Sequence, residues 1–382
     1  HMSNDLALKV LTELVGFYQV ASIGRGSNAV IWDAGSRRPV VRLAESRPIG
    51  VRFFPGAERL ATTSADGVVT IWNATSGERL HELIGRDRRW MNAGVDVFPD
   101  GQRLVTWSGR PTATIWSTVT GKAQCELRLM ALDVVGAAVF PSGARLVAWS
   151  SDGSATLFHA ATCEAERNLW APTLEALRDF VPFPQSDRVA GVGDERMVAV
   201  WNASTSAVLH EFRGHSSRIN GVAVAADGNR LATYSSDTTA LVWDTRTGRT
   251  MFTLRQHWGD VVSARFFPSD DRLVTAATDR LAIIWNSTTG RIIHRLAGHS
   301  QAVRGVAVSP DGDILATCSC AEVLVWDAHA GSLLAQLADV GEDRLDHWRH
   351  RDWCSVDFGA SKAGDPRSFA SPRYRPLSPW FR

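Results

Sequence analysis

The sequence predicts an all-β protein in which eight four-stranded blades close into one ring. Tryptophan, replaced once by phenylalanine, recurs at intervals of 40 to 44 residues, at Trp32, Trp72, Trp116, Phe158, Trp201, Trp243, Trp285 and Trp326. Most of these residues are followed by aspartate or asparagine, and a period of this length ending in that pair is typical of a propeller blade. A blade cannot bury both of its faces alone, so several blades must stack around an axis.

The strands of one repeat can be read from residues 214–255. Short β-branched and apolar runs alternate with turn residues such as Asp-Gly and Thr-Gly, which predicts an antiparallel meander of four strands. From the innermost strand outward, the predicted strands are Ile219–Val224, Leu231–Ser235, Thr239–Trp243 and Thr250–Leu254.

The innermost strand can be recognised in seven of the repeats. Most of these runs are followed within two residues by proline, which lies beyond the strand, where no ladder N–H is needed. The predicted innermost strands are Gly50–Phe54, Gly94–Phe98, Gly136–Phe140, Phe180–Phe183, Gly221–Val224, Ser263–Phe267 and Gly305–Val308.

The repeat resembles the WD-repeat family. That family opens with Gly-His, carries Ser or Thr in the second strand and Asp in the next turn, and closes the third strand with Trp-Asp; the matching residues here are His215, Thr233, Asp237 and Trp243. The resemblance implies a WD-repeat β-propeller in which these four side chains form a hydrogen-bonded relay. Such a relay is chemically sound, because a buried indole N–H needs an acceptor and a buried carboxylate needs donors.

The relay pattern is uneven along the chain. A second full set is His257, Thr275, Asp279 and Trp285. A third set lacks the acid, because Cys320 stands at the expected Asp position. The pattern is absent near Trp116, where Arg110 occupies that position, so packing is expected to hold the blades around Trp116, Phe158 and Trp201.

Three segments are predicted. Residues 1–16 are interpreted as a cloning scar followed by a strand or short helix, residues 17–358 as the propeller, and residues 359–382 as a tail rich in Pro, Arg, Ser and aromatics that is disordered or docked. A ring made from an open chain needs a closure by a terminal strand. We favour Trp353–Phe358 over Leu6–Val15 as the strand that completes the first blade, which gives eight blades against the commoner seven.

Composition excludes several classes of function. The net charge of +1 provides no global field for nucleic acid, and no apolar stretch is long enough to cross a membrane. Of 41 basic residues 38 are arginine, which we attribute to genome composition. Five cysteines without a Cys-x-x-Cys pattern indicate neither a disulfide framework nor a zinc site, so we expect a reducing, cytoplasmic setting.

The resemblance also places the binding residues. In the family, residues that flank the first apolar position of each innermost strand form the upper face of the ring. Carried over, this predicts a partner-binding rim at Asp133, Arg178, Arg218, Asn220, Asp260 and Arg304, with Trp90 and Trp258 in adjoining loops.

The expected function is a non-catalytic scaffold that binds peptides or protein domains on this face, as a monomer without cofactor, metal or small-molecule substrate. A hydrolase triad is rejected, because the His, Thr and Asp set recurs in successive blades together with a tryptophan, whereas a catalytic set occurs once. The alternative is a regulatory sensor propeller that belongs to a larger signalling protein.

Overall fold

A computed structural model describes residues 18–23, 29–33, 38–44, 48–64, 66–84, 93–108, 112–129, 133–169, 179–193, 196–269, 271–320, 322–337 and 355–360. Within these residues, 32 strands form eight antiparallel four-stranded sheets. Each innermost strand contacts the innermost strand of the next blade, and the eighth contacts the first, so the sheets close into a ring. The predicted eight-bladed propeller is confirmed.

The first four blades contain the N-terminal strand and the strand nearest the C-terminus. Blade one contains β1 (Tyr18–Ile23), β2 (Ala29–Asp33), β3 (Pro39–Leu43) and β32 (Ser355–Ala360). Blade two contains β4 (Pro48–Phe53), β5 (Arg59–Ser64), β6 (Val69–Asn73) and β7 (Arg79–Leu83). Blade three contains β8 (Ala93–Val97), β9 (Arg103–Ser108), β10 (Thr112–Ser117) and β11 (Ala123–Arg128). Blade four contains β12 (Val134–Val139), β13 (Arg145–Ser150), β14 (Ala155–His159) and β15 (Ala165–Leu169).

The other four blades follow the chain without interruption. Blade five contains β16 (Asp179–Pro182), β17 (Arg188–Val192), β18 (Met197–Asn202) and β19 (Val208–Arg213). Blade six contains β20 (Ile219–Val224), β21 (Arg230–Ser235), β22 (Ala240–Asp244) and β23 (Thr250–Leu254). Blade seven contains β24 (Val261–Phe266), β25 (Arg272–Ala277), β26 (Leu281–Asn286) and β27 (Ile292–Ala297). Blade eight contains β28 (Val303–Val308), β29 (Ile314–Ser319), β30 (Val323–Asp327) and β31 (Leu333–Leu337).

The core lies between the blades rather than within them. Eight buried apolar clusters are present among the described residues, and each spans the seam between two neighbouring blades. Alternate residues of one strand enter different seams: Val222 and Val224 pack against blade five, whereas Ala223 packs against blade seven. Each of the eight periodic aromatic residues belongs to the seam with the preceding blade, which is why one recurs in every repeat.

The strand nearest the C-terminus closes the ring. β32 pairs antiparallel with β1, with Val20 opposite Phe358, and becomes the innermost strand of blade one. Phe358 packs in the seam with blade eight. The predicted closure from the C-terminal side is confirmed, and the strand extends to Ala360, beyond the predicted propeller end at 358. Residues 1–16, Leu6–Val15, Trp353 and residues 361–382 lie outside the described residues.

Buried carboxylates on innermost strands bind the neighbouring blade. Asp357 of blade one accepts a hydrogen bond from Phe53 N of blade two at 3.0 Å, and Asp96 of blade three accepts one from Val139 N of blade four at 3.0 Å. Arg52 lies between them and donates to Asp96 at 2.8 Å. Burial raises the pKa of Asp357, although the charge of Arg52 opposes the shift. These groups connect four successive blades around the central axis.

Arginines at the start of second strands hold the blades together at one end of the ring, which we call the lower face. Arg188 of blade five donates to Gly228 O at 2.8 Å and to Thr245 Oγ1 at 3.1 Å, both in turns of blade six. Equivalent hydrogen bonds from a guanidinium to the next blade are made by Arg59, Arg103, Arg145, Arg188, Arg230 and Arg272. In five of the six, the guanidinium lies 4.2 to 5.7 Å from the ring centre of a phenylalanine of its own blade.

These six arginines were not predicted, and the attribution of arginine to genome composition is wrong for them. Their spacing of 42 to 44 residues follows the tryptophan period and could have revealed them. The equivalent positions in blades one and eight are Gln19 and Ile314, so the two seams that flank the closing blade lack this contact.

A disulfide bond joins Cys125 of blade three to Cys163 of blade four. The expectation of no disulfide is therefore wrong. The two cysteines are 38 residues apart in neighbouring repeats, and only the stacking of the blades brings their Cα atoms to 6.4 Å. Sequence spacing alone, without the geometry of the seam, gave no reason to pair them.

Removal of the closing strand should destabilise the ring. A chain that lacks residues 353–382 loses the edge partner of β1, the Phe358 side chain and the Asp357 bond to blade two, so we expect a lower melting temperature and a less cooperative transition. A chain that lacks only residues 361–382 should melt as the full chain does. Differential scanning calorimetry distinguishes the two, and an unchanged transition after removal of β32 would contradict the observed closure.

Loss of one lower-face arginine should weaken its seam. Arg188→Ala removes both hydrogen bonds to blade six and leaves Gly228 O with only the Thr245 hydroxyl as its side-chain donor, so we expect a loss of about 1–3 kcal/mol in unfolding free energy. Arg291→Ala, in an exposed lower-face turn, should change it by less than about 0.5 kcal/mol. Urea denaturation measures both, and equal effects would show that the crossing bonds do not stabilise the ring.

Candidate interaction surface

The upper face is the end of the ring opposite the lower-face arginines. It carries the loops that lead into innermost strands and the turns between second and third strands. In blade seven a hydrogen bond joins the loop before the innermost strand to the turn between the second and third strands: Trp258 N of the loop donates to the carboxylate of Asp279 in the turn at 2.9 Å. Ser216 N makes the same bond to Asp237 in blade six at 2.9 Å.

The predicted relay is formed in blade six. Trp243 Nε1 donates to Thr233 Oγ1 at 2.9 Å, Thr233 is 2.8 Å from His215 Nε2, and His215 Nδ1 is 2.8 Å from Asp237. Every group is satisfied when the histidine is neutral with its proton on Nδ1, because the Thr233 hydroxyl then donates to Nε2. The relay therefore links a buried indole to the loops of the upper face.

Blade seven forms the relay with the same geometry. Trp285 Nε1 is 2.8 Å from Thr275 Oγ1, and His257 is 2.8 Å from both Thr275 Oγ1 and Asp279 Oδ2. Burial lowers the pKa of His257, although the charge of Asp279 opposes the shift. A neutral imidazole suits the threonine bond that this arrangement needs.

In blade eight a glutamate takes the place of the relay aspartate. His299 Nε2 is 2.7 Å from Thr317 Oγ1, and Glu322 accepts Ser300 N at 2.7 Å, as Asp237 and Asp279 accept the equivalent amides. Glu322 Oε1 lies 3.5 Å from His299 Nδ1, which is an ion-pair distance rather than a good hydrogen bond. The expectation that this set lacks the acid is wrong, because Glu322 supplies a carboxylate from two residues beyond Cys320 through its longer side chain.

Part of the relay extends into the N-terminal blades. Trp32, Trp72 and Trp116 donate their indole N–H to the hydroxyls of Ser22, Thr62 and Thr106, at 2.8, 2.7 and 2.8 Å. The expectation that the relay is absent near Trp116 is therefore wrong for the threonine, whereas the positions of the histidine and the acid in this blade lie outside the described residues. The equivalent residue facing Phe158 is Ala148, which offers no hydroxyl and need not, because phenylalanine carries no donor.

Bulges interrupt the innermost strands near the upper face. The pairing of first and second strands skips one residue in blades two, four, six, seven and eight, at Ile49, Val135, Asn220, Val262 and Arg304. A bulge of this kind redirects the extra side chain. The side-chain amide of Asn220, the extra residue of the bulge in blade six, donates to Val261 O of blade seven at 2.8 Å. This hydrogen bond fixes the amide between the two blades.

Four arginines gather on the upper face of blades five to eight. Arg196 and Arg280 are exposed at turns with positive φ, and Arg218 and Arg304 are half-buried. Arg196 donates to Ser216 O at 3.0 Å and so connects blades five and six. Among the described atoms, Arg304 Nε is buried and finds no acceptor. Arg196 and Arg280 were not among the predicted rim residues, although each stands five residues before a periodic tryptophan.

Trp258 is the most exposed large apolar side chain among the described residues, with 87% of its surface accessible. Its backbone is fixed by Asp279, and Asp260, two residues further along, is exposed beside it. By contrast Trp149 is fully buried, and Trp107 is half-buried against the seam of blades three and four. An indole held out in solvent by a hydrogen-bonded loop is a side chain that a partner could cover.

The structure brings only some of the predicted rim residues together. Arg218, Asn220, Trp258, Asp260 and Arg304 share the arc formed by blades six to eight. Asp133 is exposed on blade four, which lies opposite blade eight in the ring, and so belongs to a different region of the rim. Arg178 and Trp90 lie outside the described residues.

Comparison with known families finds a match in blades six, seven and eight. The WD domain, G-beta repeat family matches residues 206–244, 248–286 and 290–327. The chain is a WD-repeat β-propeller. Each matched segment ends at the Trp-Asp or Trp-Asn pair of blades six, seven and eight, which are the blades whose relay contains a histidine. No curated protein matches the chain.

WD-repeat propellers commonly act as interaction scaffolds and are generally non-enzymatic. In this propeller the described residues include no helix that is long and apolar enough to cross a membrane. They also include no group of three or more His, Cys, Asp or Glu side chains that could hold a metal ion.

The complete relay should matter more to stability than the turn acid alone. Asp237→Ala removes the acceptor of His215, Ser216 and Thr239, whereas Asp66→Ala removes a bond from Ser64 in a blade without the histidine. We expect Asp237→Ala to cost about 1–3 kcal/mol and Asp66→Ala distinctly less. Thermal melting of both variants tests this, and equal shifts would count against a cooperative relay.

The buried histidines should make the ring sensitive to mild acid. Burial lowers the pKa of His257 and of His299, so the unfolded chain binds more protons than the folded chain near the ordinary histidine pKa of about 6.5. Stability should therefore be present above that pH and fall as the pH decreases below it. Melting temperatures at pH 7.5 and 5.5 should differ less in His257→Gln than in the parent, with exposed His329→Gln as the control.

Proposed function

We propose that the upper face of blades five to eight binds an acidic segment of a partner protein that also carries an apolar side chain. The observation that carries this proposal is Trp258, an indole that is 87% exposed yet fixed at its backbone by Asp279. Tryptophan and arginine are the side chains most enriched among energetically dominant interface residues. The relay limits the loss of loop entropy on binding, because the loops are held before the partner arrives.

Charge favours an acidic partner. The carboxylates of Asp237, Asp279 and Glu322 accept bonds within the relay, which leaves Asp260 as the exposed acidic residue beside four arginines in the described part of this face. A guanidinium binds a carboxylate through two parallel hydrogen bonds, which adds orientation to attraction. An acidic segment would thus meet complementary charge in blades five to eight and an apolar contact at Trp258.

Binding can be measured by fluorescence anisotropy with labelled peptides that combine glutamate or aspartate with leucine or phenylalanine. Peptides in which lysine replaces the acids test the charge requirement. Arg218→Ala with Arg304→Ala, and separately Trp258→Ala, should weaken the best acidic peptide by about 30-fold or more, since a central anchor contributes roughly 2 kcal/mol. Arg246→Ala, an exposed arginine on the lower face of blade six, should leave affinity unchanged.

The folding of each variant is checked by its melting temperature, which surface changes should alter little. Unchanged affinity in both the double arginine variant and Trp258→Ala would place the interaction on another surface of the ring. Equal binding of acidic and lysine-substituted peptides would overturn the charge assignment. A pull-down that compares the intact ring with the double variant extends the test to natural partners.

A further inference from the structure

The two bonded cysteines occupy positions that recur from blade to blade among the described residues. Cys163 lies in the turn between third and fourth strands, where its N–H donates to His159 O at 2.8 Å and its φ is 62°. The equivalent residue in five other blades is glycine with φ of 67 to 72°, at Gly77, Gly121, Gly248, Gly290 and Gly331. Blade five has Ser206 there. Positive φ costs a residue with a Cβ about 1 kcal/mol or more, so cysteine at this place needs a compensating contact.

Cys125 is the matching position on the preceding blade. In three seams a histidine of the outer strand packs on the turn glycine of the next blade: His81 on Gly121, His210 on Gly248 and His294 on Gly331. A Cβ added to Gly121 would lie 2.6 Å from His81 Nδ1, so the turn can gain a side chain only when the facing residue shrinks. Blades three and four have both changes at once, cysteine for histidine and cysteine for glycine.

The seam between blades three and four differs from the others at its periodic aromatic residue. Phe158 stands where the other seven seams have tryptophan, and blades three and four, like blades one, two and five, contain no relay histidine among their described residues. Both cysteines are half-buried at the outer edge of the ring, where a small thiol can reach them. We propose that Cys125 and Cys163 form a reversible thiol–disulfide site that links blades three and four and sets the stability of the ring according to the thiol redox state around it.

The proposed reaction is thiol–disulfide exchange. In oxidation, one cysteine thiolate attacks a small-molecule disulfide and releases one small thiol; the other cysteine then attacks the mixed disulfide and releases the second thiol. Two electrons and two protons pass from the protein pair to the small disulfide. In reduction, a dithiol returns them and becomes a cyclic disulfide.

The test compares the full chain equilibrated with glutathione disulfide and with dithiothreitol. Mass spectrometry of digests should find a Cys125–Cys163 linked peptide in the oxidised sample and not in the reduced one. Reduction should lower the melting temperature by about 5 °C, because the unfolded chain regains the freedom of a loop closed across 38 residues. Absence of the linked peptide, or an unchanged melting temperature on its loss, would overturn the proposal.

Two variants make the result specific. Cys125→His combined with Cys163→Gly restores the pair found in three other seams, so the ring should fold and its melting temperature should no longer respond to dithiothreitol. Cys320→Ser leaves the pair intact and should keep the full response. A response that persists in the double variant would assign the effect to another cysteine and would equally overturn the proposal.

Discussion

Everything in this ring depends on the contact between neighbouring blades. A four-stranded sheet exposes two apolar faces, and the eight clusters described here show that each face is buried only by the next blade. The free energy of folding is therefore concentrated in the seams, and so are the specific bonds. Arginines join blades at the lower face, carboxylates join them along the axis through Asp96 and Asp357, and a disulfide joins one pair at the outer edge.

The relay connects this architecture to the candidate binding surface. A tryptophan that fills a seam must satisfy its indole N–H, and the chain of bonds from Trp285 through Thr275 and His257 to Asp279 ends on the backbone of Trp258. The exposed indole is thus positioned by the buried indole of the same blade. A feature that stabilises the fold also orders the loop that would meet a partner, and it does so in the blades that match the repeat family.

The sequence predicted the features that repeat. Tryptophan spacing predicted eight blades, the unpaired segment near Phe358 predicted the closure, and the resemblance to the WD-repeat family at His215 and His257 implied the relay. Features that depend on side-chain reach or on contact between repeats were not predicted. Glu322 replaces an aspartate from a different position because its side chain is longer, and Cys125 meets Cys163 only after two blades have stacked. The lower-face arginines repeat as regularly as the tryptophans, but their function is visible only where Arg188 reaches the turns of blade six.

The seams also show that no single bond is required everywhere. Between blades four and five, where Gly191 provides no hydroxyl to Trp201, that indole packs 5.5 Å from Phe180, which packs 5.2 Å from Trp149 of blade four. Between blades three and four the disulfide lies beside Phe158. Where the arginine is missing beside blade one, Ile314 and Phe358 fill one seam and Asp357 crosses the other. Since every seam must hold for the ring to stay closed, these seams depend on different contacts in addition to their apolar clusters, and the loss of one kind of contact at a seam need not open the ring.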